Sequence, residues 1–198
     1  GLGTLMETFN ENRFKTEISR YRIECAGRMR GKVLDVGGGL GVYLPYFGSK
    51  DVTVLDINEE ALRRLNYDKK VLGDACHLPF ENDVFDSIWA CGVCLYISED
   101  IEEFINEASR VLKKDAGRII IELPNPDSVW NKWKGMLGLG TWMDDKDIKH
   151  LYTVEELRKY GEVTGEVKFL PAFLDKAIRK KSKWWHTLML EIKVGEEK

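Results

Sequence analysis

Cysteine is scarce. Cys25, Cys76, Cys91 and Cys94 are the four in 198 residues. They are too few and too scattered for a disulfide framework in a domain of this size, so reduced thiols in the cytoplasm are expected. No apolar run approaches the roughly 20 residues that span a bilayer, and the first residues carry no secretory pattern. A basic excess is missing as well. Lys and Arg number 30 against 33 Asp and Glu, for a net charge of -3 at pH 7. A protein that grips many phosphates carries a clear positive surplus, so nucleic acid is not an expected partner. Two local basic clusters remain: Arg20, Arg22, Arg28, Arg30 and Lys32, and Arg179, Lys180, Lys181 and Lys183. Both read as solvated faces, although the second could take an anionic substrate. No internal repeat, low-complexity tract or linker divides the chain, which predicts a single domain over residues 1–198.

What is present is an ordinary globular composition, 43% hydrophobic and 32% charged, long enough for a substantial core. Residues 11–30 read as a helix, with Phe14, Ile18, Tyr21 and Cys25 at helical spacing. The period then changes. Lys32–Val36, Val52–Ile57, Lys70–Leu72, Phe85–Ala90 and Gly117–Leu123 read as strands. Helices are predicted over Glu59–Leu65 and Ile101–Leu112, and a short one over Tyr43–Phe47 despite Pro45. Pro124 and Pro126 should stop the fifth strand. Strands alternating with helices predict an α/β fold with a doubly wound, mostly parallel sheet of seven strands. Such sheets bind ligands outside the carboxyl ends of their strands.

Beyond residue 126 the alternation breaks. Residues 127–150 hold Trp130, Trp133, Met136, Trp142 and Met143 among Gly135, Gly138 and Gly140. This composition suits a lid over an apolar acceptor, or equally a helical hairpin at the core edge. Val154–Tyr160 reads as a helix with Thr153 as N-cap and Glu156 completing a capping box. Glu162–Leu170 and Leu188–Val194 read as strands. Trp184 and Trp185 beside Lys180 and Lys181 could mark a membrane or partner contact.

The most informative segment is Val33-Leu34-Asp35-Val36-Gly37-Gly38-Gly39-Leu40-Gly41. Here a strand enters a turn where backbone must come close to a ligand, and glycine both permits positive φ and removes the obstructing Cβ. A dinucleotide site uses GxGxxG, but the final glycine would fall at Val42. The spacing that fits is Gly37-x-Gly39-x-Gly41. Asp56 closes the second strand, where a carboxylate can accept both hydroxyls of a ribose, a feature that dinucleotide enzymes share. Asp74 follows the third strand. An acid after each of these strands, following a glycine turn, discriminates better than the turn alone.

The segments VLDVGGGLG, VTVLDIN, GDACHLPFENDVFDSIWA and ASRVLKKDAGRIIIELP together resemble the class I S-adenosylmethionine (SAM)-dependent methyltransferases. The likeness is to the small-molecule group related to the quinone-biosynthesis enzymes, and it covers about residues 30–125. It implies that Gly37, Gly39 and Gly41 line the methionine and ribose of SAM, with Asp35 near the amino group. It gives Asp56 the ribose hydroxyls, Ile57 a place against the adenine, and Asp74, with Ala75 adjacent, the exocyclic amine. Ala90 and Cys91 would lie beside the sulfonium. Two departures stand out. Relatives usually carry Cys or Ser where Gly38 stands and Thr or Ser where Leu40 stands. Many also have a Glu-His or His-His pair where this chain has Leu95-Tyr96.

The resemblance implies transfer of a methyl group from SAM to a small-molecule acceptor, leaving S-adenosylhomocysteine (SAH). An in-line displacement from a sulfonium needs no acid and demands no metal; a base helps where the nucleophile must lose a proton. Tyr96, Glu122, His77 and His150 are the candidates, and Tyr96 is the one placed on the substrate side. The Asn-Pro-Pro-Tyr type motif of enzymes that methylate amino groups is absent after the fourth strand. Cys91-Gly92-Val93-Cys94 has no second CxxC to complete a zinc site and reads as small side chains at a strand end. Two other readings stay open: a NAD-dependent oxidoreductase and a non-catalytic SAM-binding protein.

Overall fold

In a computed structural model the described residues are 19–97, 100–115, 117–139, 145–166 and 185–194. The predicted helical residues 11–18, Gly140, Trp142, Met143, the cluster Arg179–Lys183, Trp184 and the far end of the strand predicted to reach Leu170 lie outside them. The elements are α1 (Arg20–Ala26), β1 (Val33–Val36), β2 (Val52–Asp56), α2 (Glu59–Arg64), β3 (Lys70–Leu72), β4 (Ser87–Cys91), α3 (Ile101–Val111), β5 (Arg118–Pro124), α4 (Val129–Met136), α5 (Val154–Arg158), β6 (Glu162–Glu166) and β7 (Thr187–Lys193). No helix among the described residues is long and apolar enough to cross a membrane.

Seven strands form one sheet in the order β3-β2-β1-β4-β5-β7-β6. β7 runs antiparallel to both β5 and β6, and the other pairings are parallel. The register sets Val36 against Leu55 and Ala90, Asp56 against Leu72, and Cys91 against Glu122. The carboxyl ends of five strands therefore line up along one edge. Continuous burial along β1 and nearly all of β5 is what a sheet covered on both faces requires.

Alternation of side chains sorts the strands between two cores. Leu34, Val36, Ile88, Ala90, Ile119 and Ile121 join Phe104, Ala108 and Leu157 on one face. Trp89, Ile120 and Met189 face the other way, onto Cys25 and Ala26 of α1, Met29 just beyond it, and the rings of Tyr43 and Phe47. α3 buries Ile101, Phe104, Ile105, Ala108 and Val111, the stripe its spacing predicts. Fully burying a side chain such as Phe104 contributes about 1.5–3 kcal/mol.

Most boundaries differ from expectation by one or two residues. The capping box is formed: Thr153 accepts from Glu156 N, and Glu156 accepts from Thr153 N. The expected helix over Tyr43–Phe47 is not formed. That stretch is a series of turns, with Leu44 N donating to Gly41 O and Tyr46 N to Tyr43 O. Pro45 has no N–H to give and pushes Leu44 away from helical backbone. β5 runs on through Pro124, which pairs with Thr187 at the end of the ladder, a position where a missing donor costs least. The stretch expected as lid or hairpin contains α4, and its described part from Asp145 to His150 is a turn in irregular chain.

Candidate cofactor and active site

β1 delivers the chain into the glycine turn, and β2 holds the turn in place. Gly37 N and Gly38 N both donate to Leu55 O, at 2.8 and 3.2 Å. Gly37, Gly39 and Gly41 have φ of +68°, +49° and +70°, the left-handed region that glycine enters at no steric cost. A Cβ on Gly37 would lie 2.8 Å from Val93, and one on Gly38 would lie 2.7 Å from Asp35 Oδ2 and from Val54. The second contact leaves no room for a side chain at Gly38: the Asp35 carboxylate fills the space under the turn.

Asp35 is 2% exposed, and its Oδ2 has no hydrogen-bond partner. Burial, with the nearby charge of Asp56 added, pushes its carboxyl well above the usual carboxylate range. Asp56 is better served. Its Oδ2 accepts from Gly39 N and its Oδ1 from Asn58 N, both at 2.8 Å. Burial raises its pKa, and the amides of Asn58, Gly39 and Ile57 oppose the shift. Asp56 thus braces the glycine turn from β2.

Ile57 beside it is 74% exposed, and Leu72, paired in register with Asp56, is 55% exposed. Two bare apolar side chains at adjacent strand ends make a platform for a flat ring. Sequence reasoning singled out Ile57 and missed Leu72, although its place as last residue of β3 was a usable signal. Gly73 N donates to Asp56 O at 3.0 Å and brings Asp74 and the buried Ala75 to the same edge. Asp74 Oδ1 accepts from Cys76 N at 2.9 Å, and Oδ2 lies 3.6 Å from His77 Nδ1.

On the other side of β1, Ala90 is fully buried and Cys91 half-buried. The Cys91 thiol lies 3.1 Å from Tyr43 Oη and 3.3 Å from Glu122 Oε2. Burial and then the Glu122 carboxylate hold the thiol protonated, well above its ordinary pKa; burial does the same to Cys94. Both are free cysteines and neither is a nucleophile in this state. Among the described residues no three His, Cys, Asp or Glu side chains gather as a metal site.

Glu122 is only 3% exposed, and its Oε1 receives Arg22 Nη2 at 2.6 Å. A carboxylate so engaged is not a free base. Arg22 was expected on a solvated basic face. It is instead buried, because it shares a helix face with Cys25 and Ala26, three and four residues on. His150 is also structural: its ring centroid lies 4.3 Å from that of Tyr152, and Nε2 is 3.5 Å from Glu156 Oε1. Tyr96 follows β4, is half-exposed, and donates from its hydroxyl to Asp145 Oδ2 at 2.9 Å. Lys149 N donates to Leu95 O nearby at 2.8 Å. The residues after β4 are therefore tied to the stretch that enters α5.

The glycine turn, Asp35, Asp56, Asp74, Ala90 and Cys91 thus gather at the carboxyl edge of the parallel strands. Surface hollows at Asn66–Lys69 and at Asp83, Asp86 and Lys113–Asp115 lie at the opposite, amino edge. Such a sheet, with a glycine turn and acids at its carboxyl edge, defines a doubly wound α/β domain. Residues 34–121 match the family model described as "Methyltransferase domain". The SAM-dependent methyltransferase of Archaeoglobus fulgidus shares the fold, with a TM-score of 0.64 at 18% identity over 93% of this chain and 94% of that one. An uncharacterized protein of Methanocaldococcus jannaschii is 27% identical over 128 residues, 63% of this chain and 55% of its own. The sterol 24-C-methyltransferase of Schizosaccharomyces pombe is 32% identical over 118 residues, 50% of this chain and 31% of its own. The chain therefore spans about half of the first curated relative and about a third of the second. Residues 34–121 thus match a methyltransferase domain, and the described sheet has the fold of a solved SAM-dependent methyltransferase.

Proposed function

We propose that the protein binds SAM at the carboxyl edge and transfers its methyl group to a small-molecule acceptor with an apolar or aromatic part, leaving SAH. The observation that carries this reading is the buried, unpaired Oδ2 of Asp35 beneath the glycine turn. A buried carboxylate oxygen without a donor is costly, and the ammonium of a methionine moiety supplies the missing donor directly or through water. The rest of the edge fits the remaining parts of the molecule. Gly37, Gly39 and Gly41 line the methionine and ribose, Asp56 takes the ribose hydroxyls, and Ile57 lies against the adenine with Leu72 beside it. Asp74 accepts from the exocyclic amine with Ala75 adjacent, and Ala90 and Cys91 face the sulfonium.

SAM, when bound, supplies a methyl group already activated by the sulfonium, whose leaving group departs neutral. The chain's task is chiefly to orient the acceptor, a contribution of roughly 7–11 kcal/mol when geometry is well set. α4 and the turn after it bear exposed Trp133, Met136, Leu137 and Leu139, side chains suited to an apolar acceptor. By its name the S. pombe relative acts on a sterol, in keeping with that class. Four free thiols accord with a cytoplasmic place.

For an acceptor that must lose a proton, Tyr96 is the proposed catalytic residue, passing the proton towards Asp145. Tyr96→Phe is then expected to lower kcat about 100-fold and leave SAH affinity unchanged. A loss below threefold would reduce Tyr96 to a pocket wall.

The reading is tested by calorimetry with SAM, SAH and NAD, followed by transfer of labelled methyl onto a panel of apolar and aromatic metabolites. Binding of SAM and SAH but not NAD is expected, with label on at least one acceptor. Preference for NAD would make the protein an oxidoreductase. SAM binding with no transfer to any acceptor would favour a non-catalytic SAM-binding protein.

A further inference from the structure

Three polar side chains, Arg22, Glu122 and Tyr43, form a connected group with Cys91 on the α1 side of the sheet. Arg22 comes from α1, which precedes the matched domain, and Glu122 from the carboxyl end of β5. Their ion pair is 2.6 Å long, with side-chain exposures of 10% and 4%. Glu122 Oε2 reaches the Cys91 thiol at 3.3 Å, and Cys91 reaches Tyr43 Oη at 3.1 Å. Gly92 follows at φ +68°, and a Cβ there would lie 3.8 Å from Glu122 Oε2. The next residue, Val93, packs over Gly37 of the cofactor turn. The carboxylate therefore sits directly behind the Gly92–Val93 backbone, which follows β4 and packs on the glycine turn. Arg22 Nε is buried and unpaired, so the guanidinium is not held for its own satisfaction. α1 is also anchored independently of this pair, through Cys25 and Ala26, with Met29 buried just after it.

We infer that Glu122 and Arg22 form a charge pair that sets how strongly the site prefers a positively charged sulfonium over a neutral thioether. Glu122 is the attracting carboxylate. Arg22 is a positioning residue that holds it and offsets part of its charge. The inference rests on the proposed binding of SAM beside Cys91. In this low-dielectric wall a unit charge acts over several ångströms. The sulfur loses its positive charge as the methyl leaves. An unopposed carboxylate there would stabilise the bound cofactor more than the transition state, which tightens binding and slows the reaction. A paired carboxylate attracts the cation without trapping it.

The test is the ratio of SAM to SAH affinity, measured by calorimetry on the full chain for wild type, Glu122→Gln, Arg22→Met and Arg22→Lys. The ligands differ only in the sulfonium methyl and its charge, so a structural loss elsewhere in the site weakens both alike and leaves the ratio in place. In Glu122→Gln the ratio is expected to fall at least threefold, because the arginine's charge stands unopposed. In Arg22→Met it is expected to rise at least threefold, with a lower kcat. Arg22→Lys should stay within twofold of wild type. Arg22→Met leaves a buried carboxylate without its partner and can fail to fold; Glu122→Gln and Arg22→Lys then decide the matter. A Glu122→Gln ratio within twofold of wild type would overturn the inference while wild-type binding of both ligands upholds the cofactor reading. If the wild type binds neither ligand, the cofactor reading falls and this inference with it.

Discussion

Asp35→Asn is expected to make the ligand-free protein more heat-stable near neutral pH while weakening SAM binding at least tenfold. The two effects have one cause. Asp35 is held in a fully buried position with one oxygen unpartnered, and its carboxyl titrates well above the range of an unfolded aspartate. A carboxyl whose folded pKa is raised favours the folded state below its unfolded pKa. That contribution is lost as pH rises through the folded value. At neutral pH and above the aspartate therefore destabilises the empty protein, and an asparagine of the same shape does not. A rise of about 2–4 °C in melting temperature corresponds to ~1 kcal/mol in a domain of this size. The asparagine also lacks the negative charge that an ammonium group would pair with. In the wild type, SAH affinity should decline as the pH is lowered through the Asp35 titration; in Asp35→Asn this dependence should flatten. Melting curves and calorimetry over a pH series read both effects. A variant less stable than wild type, with unchanged affinity, would show that Asp35 serves packing rather than a ligand.

The second large effect is expected at Asp56. Asp56→Ala removes the acceptor for Gly39 N and Asn58 N together, as well as the proposed acceptor for the ribose hydroxyls. SAH affinity should fall at least tenfold, about 1.4 kcal/mol, with the larger part of any further loss coming from a loosened glycine turn. Loss of the two charge-assisted bonds should also lower stability by about 1–3 kcal/mol, so the variant is expected to remain folded with a reduced melting temperature. Asp56→Asn keeps an acceptor for one amide and should fall between the two. A folded Asp56→Ala variant with wild-type affinity would remove Asp56 from the ribose site.

These two aspartates look alike in the sequence, each near the end of a short apolar strand after or before the glycines. They differ in the fold. Asp56 is satisfied by backbone amides and braces the turn; Asp35 is left with an open oxygen beneath it. Local pattern carried the strands, because continuous apolar runs bounded by glycine and acid have few other homes. It also carried α3 and the Thr153 capping box, where neighbours in sequence make the decisive contacts. It failed at Tyr43–Phe47, where the effect of Pro45 on Leu44 outweighed apolar spacing. It also failed at Arg22, which charge assigned to solvent and helical phase assigned to the core.

Residue order alone established the alternating strands and helices, the turn whose glycines take positive φ, and an acid after each of the second and third strands. Those depend on contacts within a few residues, or on a spacing that backbone geometry enforces. Tertiary structure decided the rest. It chose the strand order that sets β4 and β5 beside β1, and it turned Glu122 towards Arg22, 100 residues earlier in the chain. It also set an exposed Leu72 beside Asp56. The physical reason is that burial, pairing and the pKa of a carboxyl are set by neighbours in space, which a strand's own residues do not specify.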